Sequence, residues 1–361
     1  MSMVRLEQVS KSYGPVAALS AVDLAVEKGE FVTLLGPSGS GKTTLLNVIA
    51  GMVAASSGRV FIRGRDVTDM PPSQRDLGMV FQNYALMPHM TVFENIAFPL
   101  RVRKMAAAEI REKVEAVLRL VQLPDVGRRK PRELSGGQQQ RISIARCLVY
   151  DPSLILMDEP LGALDRKLRE QMQLEIKRLH GQLGITVLYV THDQEEAMVL
   201  SDRICLMNHA RIEQLGTPAE LYFKPATPFV ASFLGESNLI QGTVAEAGPV
   251  AVVRGPGGCT IRAQVPAEAS LAAGQAVRVL VRPEHLRPLA PSETAANEVA
   301  GTVTNVIFIG GITSCFVQLA DGTVLTTRRL TEGRDAPAAV GAPIRLGWTA
   351  ENTILFSPAA G

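Results

Sequence analysis

One eight-residue loop, GPSGSGKT at residues 36–43, constrains the fold of this chain more than any other feature. The apolar run FVTLL precedes it and the helical pattern TTLLNVIAG follows it, so the loop joins a strand to the start of a helix. Glycines there let backbone N–H groups surround a phosphate, Lys42 can reach the β- and γ-phosphates of a nucleotide, and the Thr43 hydroxyl can ligate Mg²⁺. This context favours a nucleotide-binding α/β fold over a glycine-rich turn that only caps a helix.

Four near-continuous apolar runs indicate strands that are buried on both faces. They are FVTLLG (31–36), SLILMDE (153–159), TVLYVTH (186–192) and RICLMN (203–208). Three longer segments have helical patterns: TTLLNVIAGM (43–52), AAAEIREKVEAVLRLVQL (106–123) and RKLREQMQLEIKRLHGQLG (166–184). Gly184 is expected to cap the last of these helices. Alternating strands and helices predict a parallel sheet covered by helices.

A change of composition after residue 235 predicts a second domain. The chain has 361 residues, which is long for one compact core and suits two domains. Beyond residue 235, short alternating runs such as NLIQGTVAE, AVRVLVRPE and APIRLGW are separated by Gly and Pro. They predict a small all-β barrel or sandwich, with Phe308 and Phe316 in its core and residues 223–238 as the connection to the first domain.

Charge, cysteines and apolar runs narrow the class of protein. Lys and Arg total 37 against 35 Asp and Glu, and a net charge of +2 disfavours nucleic acid as a partner. The cysteines are Cys147, Cys205, Cys259 and Cys315. Because they are far apart and have apolar neighbours, we expect buried thiols in a reducing compartment. We expect neither a secretory leader nor a membrane-spanning segment, since no apolar run approaches about 20 residues.

Polar side chains stand at the ends of the predicted strands. Asp158 and Glu159 follow LILM, and two acids there fit two roles: holding Mg²⁺ through water, and orienting or deprotonating an attacking water. His192 ends TVLYVTH at the same edge of a parallel sheet, where its imidazole could contact a γ-phosphate. Gln82 ends the strand GMVFQ. Taken singly, His192 and Gln82 are also compatible with ordinary structural strand ends.

A second loop, LSGGQQQR at residues 134–141, indicates another anion-binding helix N-terminus. One nucleotide does not need two such cradles. A capped helix start with Ser135 as N-cap is the alternative interpretation. It does not explain two glycines, each of which costs about 1 kcal/mol in a helix interior.

The ordered set GPSGSGKT, Gln82, LSGGQ, LILMDE, LGALD (161–165) and His192 resembles the ATP-binding-cassette ATPases. The resemblance covers residues 3 to about 235. It implies a P-loop cassette over residues 1–235 with a helical subdomain at about 85–155. Residues 236–361 resemble the OB-like TOBE regulatory domain, to which the stretch VRPEH (281–285) is similar.

The resemblance implies ATP and Mg²⁺ as cofactors and a head-to-tail pair of cassettes, in which each signature segment closes over the ATP of the partner. The implied catalytic residues are Glu159, His192 and Gln82. The implied ATP-binding residues are Tyr13 (stacked on adenine), Gly36, Pro37, Ser38, Gly39, Ser40, Gly41, Lys42, Thr43 and Thr44. The implied Mg²⁺ site comprises Thr43, Gln82 and Asp158. The implied signature residues, which act on the partner's ATP, are Ser135, Gly136, Gly137 and Gln138. Asp165 is implied to lie at the dimer interface.

The segment FQNYALMPHMTVFENIAFPLRV (81–102) resembles the part of importer cassettes that grips a cytoplasmic helix of the permease. Its apolar residues fit either that interface or the core of the helical subdomain. They are Phe81, Leu86, Met87, Met90, Phe93 and Phe98.

An importer cassette implies four further features: a second cassette, as a homodimer or a heterodimer; an integral membrane permease; an extracytoplasmic solute-binding protein; and a peripheral position on the cytoplasmic face of the inner or plasma membrane. Two sequence stretches, ALMPHMTVFENIAFPL and FLGESNLI, are most similar to those of spermidine/putrescine importers. Importers for sugar, ferric iron or phosphonate, and a soluble cassette ATPase acting on nucleic acid or ribosomes, remain alternatives.

Overall fold

The computed structural model describes residues 2–265, 271–331 and 339–357. Contacts divide the chain into two compact units, Met1–Leu221 and Tyr222–Gly361. The boundary that the sequence suggests, after residue 235, therefore falls inside the second unit.

The first unit contains two sheets. Its strands are β1 Ser2–Tyr13, β2 Val16–Glu27, β3 Phe31–Leu35, β4 Ser57–Ile62, β5 Arg65–Asp66, β6 Gly78–Val80, β7 Leu154–Asp158, β8 Thr186–Val190, β9 Arg203–Asn208 and β10 Arg211–Gly216. One sheet has the order β10-β9-β3-β8-β7-β6, parallel except for the edge strand β10. Every residue of β3 and β8 is buried, which confirms the prediction from their apolar runs. The second sheet, β2-β1-β4-β5, is antiparallel and was not predicted.

Helices cover the parallel sheet. They are α1 Lys42–Ala50, α2 Val92–Val102, α3 Ala107–Leu120, α4 Gly136–Leu148, α5 Arg166–Leu183, α6 Gln194–Leu200 and, at the boundary between the units, α7 Pro218–Phe223. Gly184 caps α5 with φ 58°, as predicted. Helices α2, α3 and α4 lie within residues 85–155 and share a buried cluster that includes Ile96, Val114 and Ile142. Among the described residues, no helix combines the length and apolar character needed to cross a membrane.

The second unit is built from two antiparallel sheets. Its helix is α8 Pro228–Phe233, and its strands are β11 Asn238–Glu246, β12 Val250–Arg254, β13 Thr260–Gln264, β14 Ala276–Val281, β15 Arg287–Pro288, β16 Asn297–Ile309, β17 Ile312–Leu319, β18 Val324–Leu330, β19 Pro343–Trp348 and β20 Thr353–Phe356. The sheet orders are β13-β12-β11-β14-β20 and β15-β19-β16-β17-β18. Both sheets contribute to one buried core, which includes Val279, Val317 and Trp348.

Helix α8 explains where the second unit begins. Its Ala231 is fully buried together with Leu280 of β14 and Phe356 of β20. Residues 228–233 are therefore part of this fold, although the sequence suggested that they belong to a connecting segment.

Two expectations about burial were wrong in part. Phe308 is 62% exposed near the end of β16 and Phe316 is half-buried on β17, because strand alternation alone does not reveal where a strand extends beyond the core. Cys147 and Cys205 are buried as predicted, whereas Cys259 and Cys315 are half-buried.

Candidate functional site

The parallel sheet brings the predicted site residues to one edge. The phosphate loop (residues 36–43) follows β3, Gln82 lies two residues after β6, Asp158 is the last residue of β7, and His192 lies two residues after β8. Because these strands are parallel neighbours, their carboxyl ends meet at the same edge.

Two glycines of the phosphate loop lie where no side chain fits. Gly36 has φ 149°, and a Cβ atom there would be 2.2 Å from the carbonyl oxygen of Met207. Gly41 has φ 103°, and its Cβ would be 2.4 Å from the carbonyl oxygen of Ala18. The loop is thus a close-packed backbone cradle that requires glycine.

Lys42 is buried within this cradle. Its Nζ donates hydrogen bonds to the carbonyl oxygens of Gly36 at 2.8 Å and Pro37 at 2.9 Å. Burial lowers the pKa of Lys42, and the charges of Glu159 and Asp158 oppose that shift. The ammonium group is therefore held at the loop and balanced by two nearby carboxylates.

The remaining loop residues differ in exposure. Ser40 is buried, and its hydroxyl has no hydrogen-bond partner among the described residues. Ser38 and Gly39 are exposed at the tip of the loop, while Thr44 is half-buried on α1. An unpaired buried hydroxyl inside an anion cradle fits a site that binds a polar ligand.

Thr43 and Asp158 form an oxygen-donor pair beside Lys42. The Thr43 hydroxyl donates to Oδ1 of Asp158 at 3.2 Å. Burial raises the pKa of Asp158, and the charge of Glu159 raises it further, while the bond from Thr43 and the charge of Lys42 lower it. Within the described residues no group of three or more His, Cys, Asp and Glu could hold a metal. A hydroxyl and a carboxylate do fit Mg²⁺, which keeps waters and takes further oxygens from bound phosphates.

The carboxylate of Glu159 contacts both of the other predicted catalytic residues, Gln82 and His192. Its Oε2 accepts a hydrogen bond from Nε2 of Gln82 at 3.4 Å, and its Oε1 lies 3.2 Å from Nδ1 of His192. Its backbone is left-handed, with φ 43°, and its N–H donates to the carbonyl of Val190 on the neighbouring strand. Strained backbone of this kind tends to occur at functional sites, where the surrounding structure holds it in place.

The signature segment (residues 135–138) begins α4. Gln138 N–H donates to Oγ of Ser135 at 3.3 Å, and Ser135 N–H donates to Oε1 of Gln138 at 3.0 Å, which is a reciprocal capping box. A Cβ on Gly137 would lie 2.8 Å from Cδ1 of Leu168, whereas one on Gly136 would reach only to 3.3 Å from Leu164. Packing within the chain thus accounts for the absence of a side chain at Gly137.

The signature segment is not joined to the phosphate loop of its own chain. Within residues 2–265, 271–331 and 339–357, no hydrogen bond or ion pair links residues 135–138 to residues 36–43. The second predicted anion-binding helix start therefore does not complete the first.

Asp165 and Tyr13 are exposed and have local contacts. Oδ1 of Asp165 accepts the N–H of Leu168 at 3.0 Å and caps α5. Tyr13 is 52% exposed at the end of β1, with Nζ of Lys11 5.0 Å from its ring centroid. Both side chains are accessible, and both have contacts that also suit a purely structural role.

A buried network behind His192 was missed. Oε2 of Glu196 accepts hydrogen bonds from the hydroxyls of Tyr189 and Thr191, each at 2.7 Å, and Asp193 caps α6. Burial is the main cause that raises the pKa of Glu196. The network fixes the turn that carries His192. The acidic run DQEE (193–196) directly after that histidine is the sequence feature that could have indicated it.

The apolar residues of the 81–102 segment divide between two environments. Leu86 and Phe93 pack against the buried cluster of the helical region. Phe81, Met87 and Phe98 line a cavity of about 340 Å³ together with Pro99, Tyr150 and other residues. The alternative of the helical region's own core thus applies to Leu86 and Phe93, and Met90 is half-buried.

Family models match a part of each of the two units. A family model described as ABC transporter matches residues 19–162, and one described as TOBE domain matches residues 279–356. The chain is 45% identical to the spermidine/putrescine import ATP-binding protein PotA of Rubrobacter xylanophilus over 359 residues, covering 99% of this chain and 94% of that protein. It is 47% identical to the protein of the same name from Thermobifida fusca over 361 residues, covering 98% of this chain and 93% of that protein.

Solved structures also match. The dimeric post-hydrolysis structure of the ATP-binding cassette MJ0796 bound to ADP and Pi is 37% identical, with a TM-score of 0.54 over 60% of this chain and 99% of that chain. The structure of cbiO1 from Clostridium perfringens, part of the ABC transporter complex cbiONQ, is 26% identical, with a TM-score of 0.58 over 62% of this chain and 91% of that chain.

Proposed function

The chain belongs to the ATP-binding-cassette (ABC) transporter family, and from that premise we propose that it is the ATP-hydrolysing subunit of an importer for spermidine and putrescine. The contact of Glu159 with both Gln82 and His192, at the sheet edge that carries the phosphate loop, supports hydrolysis most directly. The solute class rests on the identity of 45% with a spermidine/putrescine import protein over 99% of the chain.

The residues divide the chemistry among them. Lys42 and the backbone of the phosphate loop bind the β- and γ-phosphates, and Tyr13 stacks on the adenine. Thr43 and Asp158, with Gln82, hold Mg²⁺, which neutralises charge on the phosphate oxygens when bound. Glu159 orients the attacking water and accepts its proton, while Gln82 and His192 hold that carboxylate in place.

Two copies of the chain complete each site. The capped start of α4 presents backbone N–H groups and the positive end of its dipole, which suit an anion. Among the described residues it makes no hydrogen bond or ion pair with the phosphate loop of its own chain. Ser135, Gly136, Gly137 and Gln138 therefore act on the γ-phosphate bound by the partner, and Asp165 lies across the same interface. Closure and reopening of this homodimer follow ATP binding and hydrolysis.

The permease binds beside the nucleotide site. The cavity of about 340 Å³ lined by Phe81, Met87 and Phe98 is the surface that receives a cytoplasmic helix of the permease. The chain is accordingly peripheral, at the cytoplasmic face of the membrane, and an extracytoplasmic binding protein delivers the solute.

The variant Glu159→Gln tests hydrolysis. We expect it to bind Mg·ATP as tightly as the wild type, to accumulate as a closed dimer in size-exclusion chromatography, and to lose about 100-fold or more in turnover, as is typical when a catalytic base is removed. Glu195→Gln, the same change at an exposed site on α6, is the matched control and should keep full turnover. A fully active, monomeric Glu159→Gln protein would contradict the proposal.

The same variant identifies the partners. Trapped with Mg·ATP in detergent-solubilised membranes, it should co-purify with a multi-span permease, and cells expressing the wild type should take up labelled spermidine. Recovery of only ribosomal or DNA-associated proteins would leave the ATPase in place and rule out the transport role.

A further inference from the structure

Two consecutive residues just after Gln82 have left-handed backbone. Tyr84 has φ 60° and Ala85 has φ 46°, and neither is glycine. This conformation is unfavourable for residues with a Cβ, so adjacent examples persist only where surrounding contacts hold them. Gln82, whose amide bonds to Glu159, is two residues away.

The contacts that hold this turn come from α4. Nη1 of Arg146 donates to the carbonyl of Ala85 at 2.6 Å, and Nη2 donates to the carbonyl of Tyr84 at 2.9 Å. Oγ of Ser143, which is fully buried, donates to the same Tyr84 carbonyl at 3.0 Å. Along the parts of the chain that the structure describes, Arg146 makes no ion pair with a carboxylate, so its charge is directed at these two carbonyls.

Tyr84 also reaches the other end of α4. Its side chain is buried, and its hydroxyl lies 3.9 Å from the position that a Cβ on Gly136 would take. The phenol of Tyr84 therefore lies near the signature end of the helix, and the backbone carbonyl of Tyr84 bonds to Ser143 and Arg146 further along it. A shift of α4 must move Tyr84 or break one of these contacts.

We propose that Ser143 and Arg146 form a clamp that positions Gln82 against Glu159, so that the placement of the signature helix α4 controls hydrolysis in the same chain. Both are positioning residues, because they act on the backbone of residues 84–85 and not on the nucleotide. The inference rests on the proposed ATPase function. It adds a specific route from the signature helix to the catalytic carboxylate.

Kinetics of the full chain test the clamp. Arg146→Gln should lower kcat for Mg·ATP by about 10-fold and leave ATP affinity within about twofold, because misplacement of a positioning group reduces turnover more than binding. Ser143→Ala removes one of the three bonds and should lower kcat by about threefold. It also provides a milder variant in case Arg146→Gln does not fold.

A second substitution separates positioning from general stability. Glycine adopts a left-handed backbone readily, and Ala85 is exposed. In Ala85→Gly, the turn at residues 84–85 should therefore depend less on the hydrogen bonds from Arg146 and Ser143. In the Arg146→Gln background, it should raise kcat by about threefold. If Arg146 only stabilised the fold, added glycine would leave kcat unchanged or lower it.

Arg178→Gln is the matched control. Arg178 lies on α5, and its guanidinium donates to the carbonyl of Leu120 at 2.8 Å. The variant therefore loses the same kind of bond as Arg146→Gln, but away from residues 82–85. It should retain wild-type kcat.

Hydrogen exchange gives a readout that does not need turnover. The N–H groups of Tyr84 and Ala85 bond to the carbonyls of Phe81 and Asn83, and their exchange should accelerate in Arg146→Gln. Unchanged exchange, or unchanged kcat in folded Arg146→Gln and Ser143→Ala, would overturn the clamp while the ATPase function stands. A wild-type chain without ATPase activity would instead overturn the proposed function, and the exchange measurement would still decide the clamp.

Discussion

The first unit gathers the polar side chains of the proposed nucleotide site at one sheet edge, whereas the second unit has buried polar side chains that link two sheets. In the first unit, Gln82 and His192 converge on Glu159, a residue with strained backbone. In the second, Asn238 and Asn297 are buried and bond to backbone groups of the opposite sheet. Polar side chains thus gather at the proposed nucleotide site in one unit and link two sheets in the other.

The two asparagines of the second unit work in the same way. Nδ2 of Asn297 on β16 donates to the carbonyl of Arg262 on β13 at 2.9 Å, and its Oδ1 accepts the N–H of the same residue at 2.6 Å. Asn238 on β11 makes the equivalent pair of bonds to Thr326 on β18, at 2.8 and 2.7 Å. Each amide therefore takes the place of a ladder partner between strands of two different sheets.

Among the substitutions that test this contrast between the units, Asn297→Ala should have the largest effect on stability. It removes a buried side chain and leaves the part-buried N–H and carbonyl of Arg262 without their partner, so the second unit should lose about 3 kcal/mol of unfolding free energy. Trp348 is the only tryptophan in the chain and lies in this core, so its emission during urea denaturation reports the second unit alone. Asn305→Ala on the exposed part of the same strand is the control. An unchanged midpoint for Asn297→Ala would remove the contrast between the units.

The next largest effect is expected from Lys42→Ala, which should lower ATP affinity by about 100-fold, equivalent to about 2.7 kcal/mol, because it removes the buried cation that we propose binds phosphate. A fluorescent ATP analogue measures the affinity, and exposed Lys28→Ala should leave it unchanged. The Trp348 transition should not move, since Lys42 belongs to the first unit. Retention of tight ATP binding in Lys42→Ala would show that the backbone cradle alone suffices.

A smaller effect is expected from Gly137→Ala. The added methyl would be 2.8 Å from Cδ1 of Leu168, which is half-buried and can partly move. The clash should cost about 2 kcal/mol and the gain in helix propensity should offset about 1 kcal/mol, so the first unit should lose about 1 kcal/mol. Calorimetry measures the loss, and Leu168→Ala in the same chain should relieve it. If stability is unchanged and ATP turnover is lost, the glycine serves the partner's phosphate and not packing within the chain.

The smallest effect concerns Asp158 and pH. Its raised pKa means that the folded chain binds this proton more tightly than the unfolded chain does, so its contribution to stability falls as pH rises through the raised value. Asp158→Asn should therefore raise the melting temperature at pH 7 without nucleotide, by no more than a few degrees. The difference should vanish in acid, below both pKa values. Stabilisation by Mg·ATP should weaken in the variant, and equal stabilisation would argue against a Mg²⁺ role.

Local patterns predicted much of the first unit. The apolar runs gave β3, β7, β8 and β9, and the glycine cap ended α5 at Leu183. The antiparallel sheet β2-β1-β4-β5 was missed, because β1 and β2 alternate buried and exposed residues and lack the continuous apolar runs that indicated the parallel strands. Phe308 was assigned to a core that it does not enter, because an apolar residue on a strand indicates a face but not the extent of what covers it.

The sequence by itself determined the phosphate loop, the order of strands and helices, and the polar residue at the end of each strand, because these depend on backbone propensity and on spacing of a few residues. Only the tertiary structure decided that Gln82 and Glu159, which are 77 residues apart, come within hydrogen-bond reach. The order of β6, β7 and β8 in the sheet sets that contact, and strand order depends on which helices pack on which face. The left-handed turn at residues 84–85 and its contacts with α4 depend on tertiary packing in the same way, since no propensity favours it and only the folded neighbours hold it.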